Sequence, residues 1–423
     1  MAKYLKTPFA QAFFFAFCYG VLFYILQFVF VRTQMLGMEP TLLSLKSSDV
    51  AFYDSIREGG YLAREQNPGF FILFPLIWRL THLNAWGIVA VNVAFFAAGF
   101  ATVTRLLKEE NRTFWLLLLT LPSVFFAFVP YTEALFFLLA ALILYAVYRK
   151  NYKLLWLSLF IISFVRATGV FLFPAFLAME LFTHPLKDWY KSIARACFLY
   201  GLPLALGLGI FIWWQYLETG TWFVYFKIQA KNWGHHFSFP TLPLRNIENG
   251  DWRYHWLNAL AILADSIALS FMIYHFIRWI RKKQIAQNGV LFICAGYMMM
   301  ALCSILFMNP QFGNQTNIMG AHRYTIMSPF FFVLLHHWSR RKYTPRQILY
   351  IFLAINAFWA LFGAYEDLDK FIAMAVACDL MIIAFLLHCS YKKYDWLIIP
   401  VIVFNFFMQA HLFQLFISNV YVD

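Results

Sequence analysis

Apolar residues run along this chain in unbroken stretches rather than in alternation with polar ones. The stretches approach or exceed the roughly 20 residues that cross a bilayer as a helix. In hydrocarbon the backbone must satisfy its own hydrogen bonds, which leaves helices and closed barrels. Continuous runs without a period of two read as helices. The pattern predicts spans near 9–31, 86–107, 113–129, 131–148, 154–165, 167–182, 196–215, 257–280, 288–308, 324–338, 347–365, 371–390 and 396–417. The expected fold is an all-α membrane protein of about 11–13 transmembrane helices. No internal repeat, low-complexity tract or Gly/Ser linker divides the chain, so residues 1–423 are read as one membrane domain. The first run is too long for a secretory signal and lacks a small-residue cleavage site, so it is expected to stay as a helix.

Composition agrees. Hydrophobic residues make up 62% of the chain and charged ones 13%, against roughly 45–50% and 25% in soluble domains. The net charge of +13 could point to nucleic acid, but its distribution points to topology. When the spans are threaded alternately, the loops on one face sum to +17 and those on the other to −2, with −2 inside spans. Positive loops stay in the cytoplasm. The N-terminus is therefore expected inside and the C-terminus outside, and no nucleic-acid partner is expected. Six cysteines fall in spans with no CxxC pair, so neither a disulfide framework nor a zinc site is expected.

The basic loops are short. The outer face has two long aromatic segments, 32–85 and 218–256, and a shorter one, 309–323, and these are expected to carry short interfacial helices. Long loops tend to be functional. In the first, a helix from about Asp49 to Glu58 would take Ser47 or Ser48 as its cap and turn Phe52 and Ile56 to the lipid interface. Asp49 is either a cap of that helix or a functional carboxylate. The stretch Pro68 to Trp78 is too short to span and reads as re-entrant or interfacial. Pro130-Tyr131-Thr132-Glu133 breaks two helices at the outer face, with Thr132 able to cap the second. Glu133 either complements the helix dipole or serves a site. Arg166 sits in a 29-residue apolar stretch with two basic flanks, which implies two short helices meeting near the outer side. An arginine at such a place marks an anion site or pairs with a carboxylate such as Glu133. Arg323 is either an interfacial anchor or a second phosphate contact. His235 and His236 are adjacent and cannot face the same way on a helix or strand, so no metal is expected there. Asn314-Gln315-Thr316 is an outside glycosylation sequon if the host is eukaryotic.

A transporter is expected to show inverted repeats and polar groups spread through mid-membrane. Here the polar residues gather at the outer ends of helices. That favours an enzyme acting at the outer leaflet on a lipid-linked substrate.

These residues resemble a known family, the polytopic GPI mannosyltransferase 2 family and its bacterial relatives within the C-type glycosyltransferase superfamily. Ser48-Asp49, Tyr53, Ile56-Arg57 and Gly60-Tyr61 resemble its Trp-Asp, Tyr, Ile-Ala and Gly-Tyr. Phe70 to Leu76 is similar to its Phe-Phe-Pro-Leu-like stretch, and Pro130-Tyr131-Thr132-Glu133 to its Pro-Tyr-Ser-Glu. Val165-Arg166-Ala167-Thr168-Gly169 resembles its Thr-Arg-Ser-Asn/Thr-Gly turn. Gln229, Trp233-Gly234-His235 and Pro240 resemble its Gln…Trp-Gly-Arg…Pro run, and Arg323-Tyr324 its late Arg-Tyr. The matches are collinear from Asp49 to about Pro329. Departures are Ser48 for Trp, Arg57 for Ala and His235 for Arg.

The resemblance implies a GT-C-like fold and a hexosyltransferase, specifically a mannosyltransferase. Its donor would be a polyprenyl- or dolichyl-phosphate sugar, its acceptor a glycolipid or glycan, and it would use no cofactor. On that reading Asp49 is the catalytic base, with Asp54, Glu133 and Tyr131 supporting it or the acceptor. Arg166 and Arg323 bind the donor phosphate, and Gln229, Trp233, His235 and His236 meet sugar or lipid. One base and direct displacement imply inversion. The alternatives are a lipid-linked glycan ligase or polymerase, and a glycolipid transporter or flippase. The spare loops favour a bacterial inner membrane, with the ER membrane as the eukaryotic counterpart and the site extracytoplasmic in either.

Overall fold

A computed structural model describes residues 7–35, 37–245, 255–282, 288–312, 315–362, 368–420 and 422. The end of the predicted 347–365 span, the middle of the 218–256 loop and Asn314 of the sequon lie outside the described residues.

The described chain is helical, with a single two-residue antiparallel pairing of Gln311–Phe312 and Gln315–Thr316. In chain order the α-helices are α1 (Pro8–Arg32), α2 (Val50–Gly59), α3 (Leu73–Thr81), α4 (Ala85–Leu107), α5 (Arg112–Thr120), α6 (Glu133–Arg149), α7 (Tyr152–Ile162), α8 (Leu172–Thr183), α9 (Trp189–Ala196), α10 (Leu202–Thr219), α11 (Val224–Trp233), α12 (His255–Ile280), α13 (Gly289–Met308), α14 (Ala321–Thr325), α15 (Pro329–Ser339), α16 (Pro345–Trp359), α17 (Leu368–Ser390) and α18 (Ile398–Ile417). Many begin where the sequence supplies an oxygen for a free backbone N–H. Asn84, Asn111, Asn151 and Asn288 cap α4, α5, α7 and α13, and Ser328 and Thr344 cap α15 and α16.

Among the described residues, seven helical segments are long and apolar enough to cross a membrane: Pro8–Arg32, Ala85–Leu107, Leu186–Thr219, Trp256–Ile280, Gly289–Met308, Leu368–Ser390 and Lys392–Ile417. The chain is a multi-pass integral membrane protein. The number of full crossings is lower than the sequence predicts, because breaks divide several apolar runs. Pro122 ends α5 and opens a 3₁₀ stretch, Pro122–Phe128, whose axis turns by 103° into α6. Counted as one bent span, that pair gives eight. The 154–182 run is broken at Arg166, as its basic flanks imply, into two short helices, Tyr152–Ile162 and Ala167–Thr183. The 324–338 run is broken before Pro329, and only α15 continues it.

One apolar core, dense in aromatic rings, joins these helices from Ala12 to Val422. Phe128 is a node of it, its ring 5.2 Å from Phe23 and 5.9 Å from Phe96. Predicted loops of like sign meet one another. On the basic side Glu109 is paired with His336 (3.0 Å) and Arg340 (2.8 Å), and Trp279 donates to the His184 carbonyl (3.1 Å). On the other side Gln229 meets Gly69, Arg245 meets Asn317, and His322 meets Val422. This grouping defines a basic face and a long-loop face.

Candidate active site

The break between Pro122–Phe128 and α6 forms a turn, Val129 to Thr132, at the long-loop face. Buried Asn92, in the middle of α4, donates its amide to the carbonyls of Val129 (2.6 Å) and Tyr131 (2.9 Å). Tyr24 donates its hydroxyl to the Phe128 carbonyl. The turn is thus held from two transmembrane helices, and it starts α6 at Glu133. Thr132 occupies the cap position without making a side-chain cap hydrogen bond.

Glu133 is 1% exposed and binds two guanidinium groups. Its Oε1 accepts from Arg166 Nη1 (2.8 Å) and from Arg323 Nε. Arg323 also reaches Asp49, with Nη1 2.9 Å from Oδ2. The four residues form one chain of alternating charge, Asp49–Arg323–Glu133–Arg166. A carboxylate buried this deeply is tolerable only with such partners. Aromatic faces complete the cradle: Arg323 lies over Tyr131 (4.6 Å) and Phe126 (5.4 Å), and Arg166 over Tyr324 (5.2 Å). Arg323 is buried, so it is not a snorkelling anchor.

Each residue reaches this point for a local reason. Arg166 is the extended residue at the break between α7 and the 3₁₀ turn Ala167–Phe171. Arg323 lies in α14, which follows Gly320 at φ +82°, a conformation glycine adopts freely. Its neighbour His322 is fixed on three sides. Its backbone N–H donates to Asn258 (3.0 Å), and its ring meets Ser123 (2.9 Å) and the Val422 carbonyl (3.1 Å).

Asp49 stands at the cap position of α2, but it makes no side-chain cap hydrogen bond. Neither Ser47 nor Ser48 caps the helix. The carboxylate goes to Arg323 instead. The lipid-facing expectation for α2 also fails. Ile56 is buried with Tyr61, Phe71, Ile72 and Phe211, and Phe52 stacks on Phe70 at 4.8 Å. These side chains come from the Tyr61–Ala63 turn, the Pro68–Trp78 segment and α10, which fold over the helix and cover its apolar side.

The Pro68–Gly69 turn is held by two amides. Gln215 donates to the Pro68 carbonyl (2.8 Å) and Gln229 to that of Gly69 (2.9 Å). A Cβ on Gly69 would lie 2.6 Å from the Trp233 ring, so glycine is what lets α11 close on this turn.

A cleft of ≈ 120 Å³ opens beside the charged chain, lined by Asp49, Tyr53, Gln229, Arg166, Arg323 and Tyr324 among others. Asp49, Arg166, Arg323 and Gln229 therefore line one space, with Glu133 and Tyr131 directly behind the arginines. Trp233 stands at its edge, against Phe70 (5.5 Å). Three other residues singled out in the sequence lie apart from it. Asp54 pairs with Lys46 and Arg57, both at 2.6 Å. His235 donates from Nδ1 to the Met308 carbonyl (3.0 Å), and His236 from Nδ1 to that of Gly234 (2.6 Å). Burial holds the His235 imidazole below the usual histidine pKa.

Tyr53 and Tyr324, which the resemblance includes without giving them a role, belong to the cleft. The signal for Tyr53 is its position one helical turn after Asp49, on the same face. Asn92 carries a plainer signal, an amide in the centre of an apolar span.

The fold and site define a predominantly helical, multi-pass membrane protein with a charge-balanced polar cleft at its long-loop face. No family model, curated protein or solved structure matches the chain.

Proposed function

We propose that this protein is a glycosyltransferase of the lipid-phosphate-sugar-dependent, GT-C type, working at the extracytoplasmic face with the basic face in the cytoplasm. The sugar is a hexose, mannose first among them, and it passes from a polyprenyl phosphate to a lipid-linked or glycan hydroxyl. The observation that carries the reading is the convergence of Asp49, Arg323, Glu133 and Arg166, from four distant parts of the sequence, on one cleft.

The chemistry follows from that convergence. The acceptor oxygen attacks the anomeric carbon as its proton passes to an Asp49 oxygen. The bond from the anomeric carbon to the phosphate oxygen breaks, and the electron pair leaves with the polyprenyl phosphate. Arg166 and Arg323 stabilise the charge that grows on that phosphate, in a low-dielectric setting where fixed cations act strongly. Glu133 holds the two guanidiniums, which would otherwise repel, within reach of one anion. A phosphate that takes up part of Arg323 loosens the Asp49 pairing and frees the carboxylate as a base. Direct displacement inverts the anomeric centre. The cleft is smaller than the roughly 300–1,000 Å³ of ligand pockets. It holds the reacting groups, while the prenyl chain lies along the membrane helices.

The test is a turnover assay on protein reconstituted in liposomes. Radiolabelled polyprenyl-phosphate mannose is supplied with crude acceptor lipids, and polyprenyl-phosphate glucose in parallel. Label in a new glycolipid supports the reading. Donor that crosses the bilayer without a new product would establish a transporter instead.

A further inference from the structure

A second cavity lies away from the cleft. It measures ≈ 600 Å³ and lies between α5, α12, α15, α16, α17 and α18. Its walls are mostly apolar, with Leu260, Ala264 and Phe331 among them. Away from its mouth the polar side chains in the lining are Ser266, Ser270 and Asn405, too few to hold a volume of this size as water. In a bilayer the available filler is a hydrocarbon chain, and the volume lies within the range of ligand cavities.

One end of the cavity is polar. Trp338, Arg341 and Tyr343 line it at the basic face. Tyr343 donates its hydroxyl to the Trp338 carbonyl (3.2 Å), which ties the mouth together. Tryptophan and tyrosine favour the depth of the headgroups. Arg341 is exposed there, its Nη2 2.9 Å from His337 Nε2, and among the described residues it has no carboxylate partner. The surrounding segment, 339–346, holds four Lys and Arg and no acid. Basic pockets between helices recognise acidic headgroups.

We propose that this cavity is a binding site for an anionic phospholipid of the basic-face leaflet, with an acyl chain between α12 and α15 and its phosphate at Arg341. Polar mouth and charged cleft lie on opposite faces, so the lipid is not the donor of the proposed reaction. The assignment does not depend on that reaction.

Native mass spectrometry of the full chain in detergent tests the assignment. The protein is titrated with phosphatidylglycerol and phosphatidylcholine of identical chains, and with a polyprenyl phosphate. One phosphatidylglycerol per chain is expected, about fivefold tighter than phosphatidylcholine. Arg341→Gln should erase that preference and Arg341→Lys restore it, while Ala264→Phe should abolish retention of both phospholipids. Equal retention of the two by wild type would overturn the proposal. So would unchanged retention by Ala264→Phe, or polyprenyl phosphate displacing phosphatidylglycerol. Should Ala264→Phe not fold, the Arg341 pair decides the matter, since that residue is exposed.

Discussion

Asp49 and Arg323 are 274 positions apart in the chain and 2.9 Å apart in space. The pairing diverts Asp49 from the cap of its own helix and aims its carboxylate into the cleft. Asp49→Asn keeps the shape of the side chain and removes the base. It is expected to lower transfer about 10²–10⁴-fold while leaving the fold, because Arg323 keeps Glu133. Single-turnover rates with labelled donor check this. An Asp49→Asn enzyme at wild-type rate would remove Asp49 from the mechanism.

Glu133 joins the two arginines, so its loss should be felt in stability as well as rate. Glu133→Gln leaves the buried Arg166 and Arg323 without their shared charge, at a cost of about 3–5 kcal/mol. Once Glu133 is gone, Arg166→Gln relieves like-charge repulsion. The double variant is then expected to be more stable than the sum of the single losses. Thermal unfolding in matched detergent gives all four corners of the cycle. Strict additivity would mean that the contact carries no coupling.

The members of this charged chain were legible in the sequence one by one, as charges standing at the ends of apolar runs or inside one. The Glu133–Arg166 pair was legible too, but the link from Asp49 to Arg323 was not, because it is a tertiary contact between residues 49 and 323. Local rules fail at the same place. Capping preference puts Asp49 or a serine to work at the start of α2, and the ion pair overrides it. Amphipathic spacing turns Ile56 toward lipid, but the Pro68–Trp78 segment and Phe211 cover it. The apolar runs located the helices well. The break at Arg166 was legible from the basic flanks of its run, but full crossings were overcounted because an apolar run reads the same whether or not a turn at Pro122 or Ser328 interrupts it.

Asn92 shows how a polar residue within a span supports the site without touching it. Its amide satisfies two carbonyls in the turn that starts α6. Asn92→Leu is similar in volume and takes that donor from the buried Tyr131 carbonyl, which costs about 1–3 kcal/mol, while the Val129 carbonyl still accepts from the Tyr131 N–H (2.7 Å). The turn also sets the register of Glu133, so transfer should fall along with the melting temperature. A variant that loses stability but keeps full activity would show that the turn holds its place without the amide.

His235 offers a test of charge on the long-loop face, apart from the cleft. Burial lowers its pKa, so the native protein resists protonating it, whereas an unfolded histidine titrates near 6.5. Stability drawn from this difference is complete above about pH 6.5 and falls as pH drops through the native value. His235→Gln retains an amide for the Met308 carbonyl and cannot be protonated. Near pH 7.5 it should match wild type in melting temperature and, within about twofold, in the KM for donor, because the wild-type ring is already neutral there. Between pH 6.5 and 5 the wild type should lose stability that His235→Gln keeps. Melting curves of the two proteins across that range decide it. Parallel curves would mean that some other group governs the acid limb, and a large rise in KM at pH 7.5 would return His235 to the donor site.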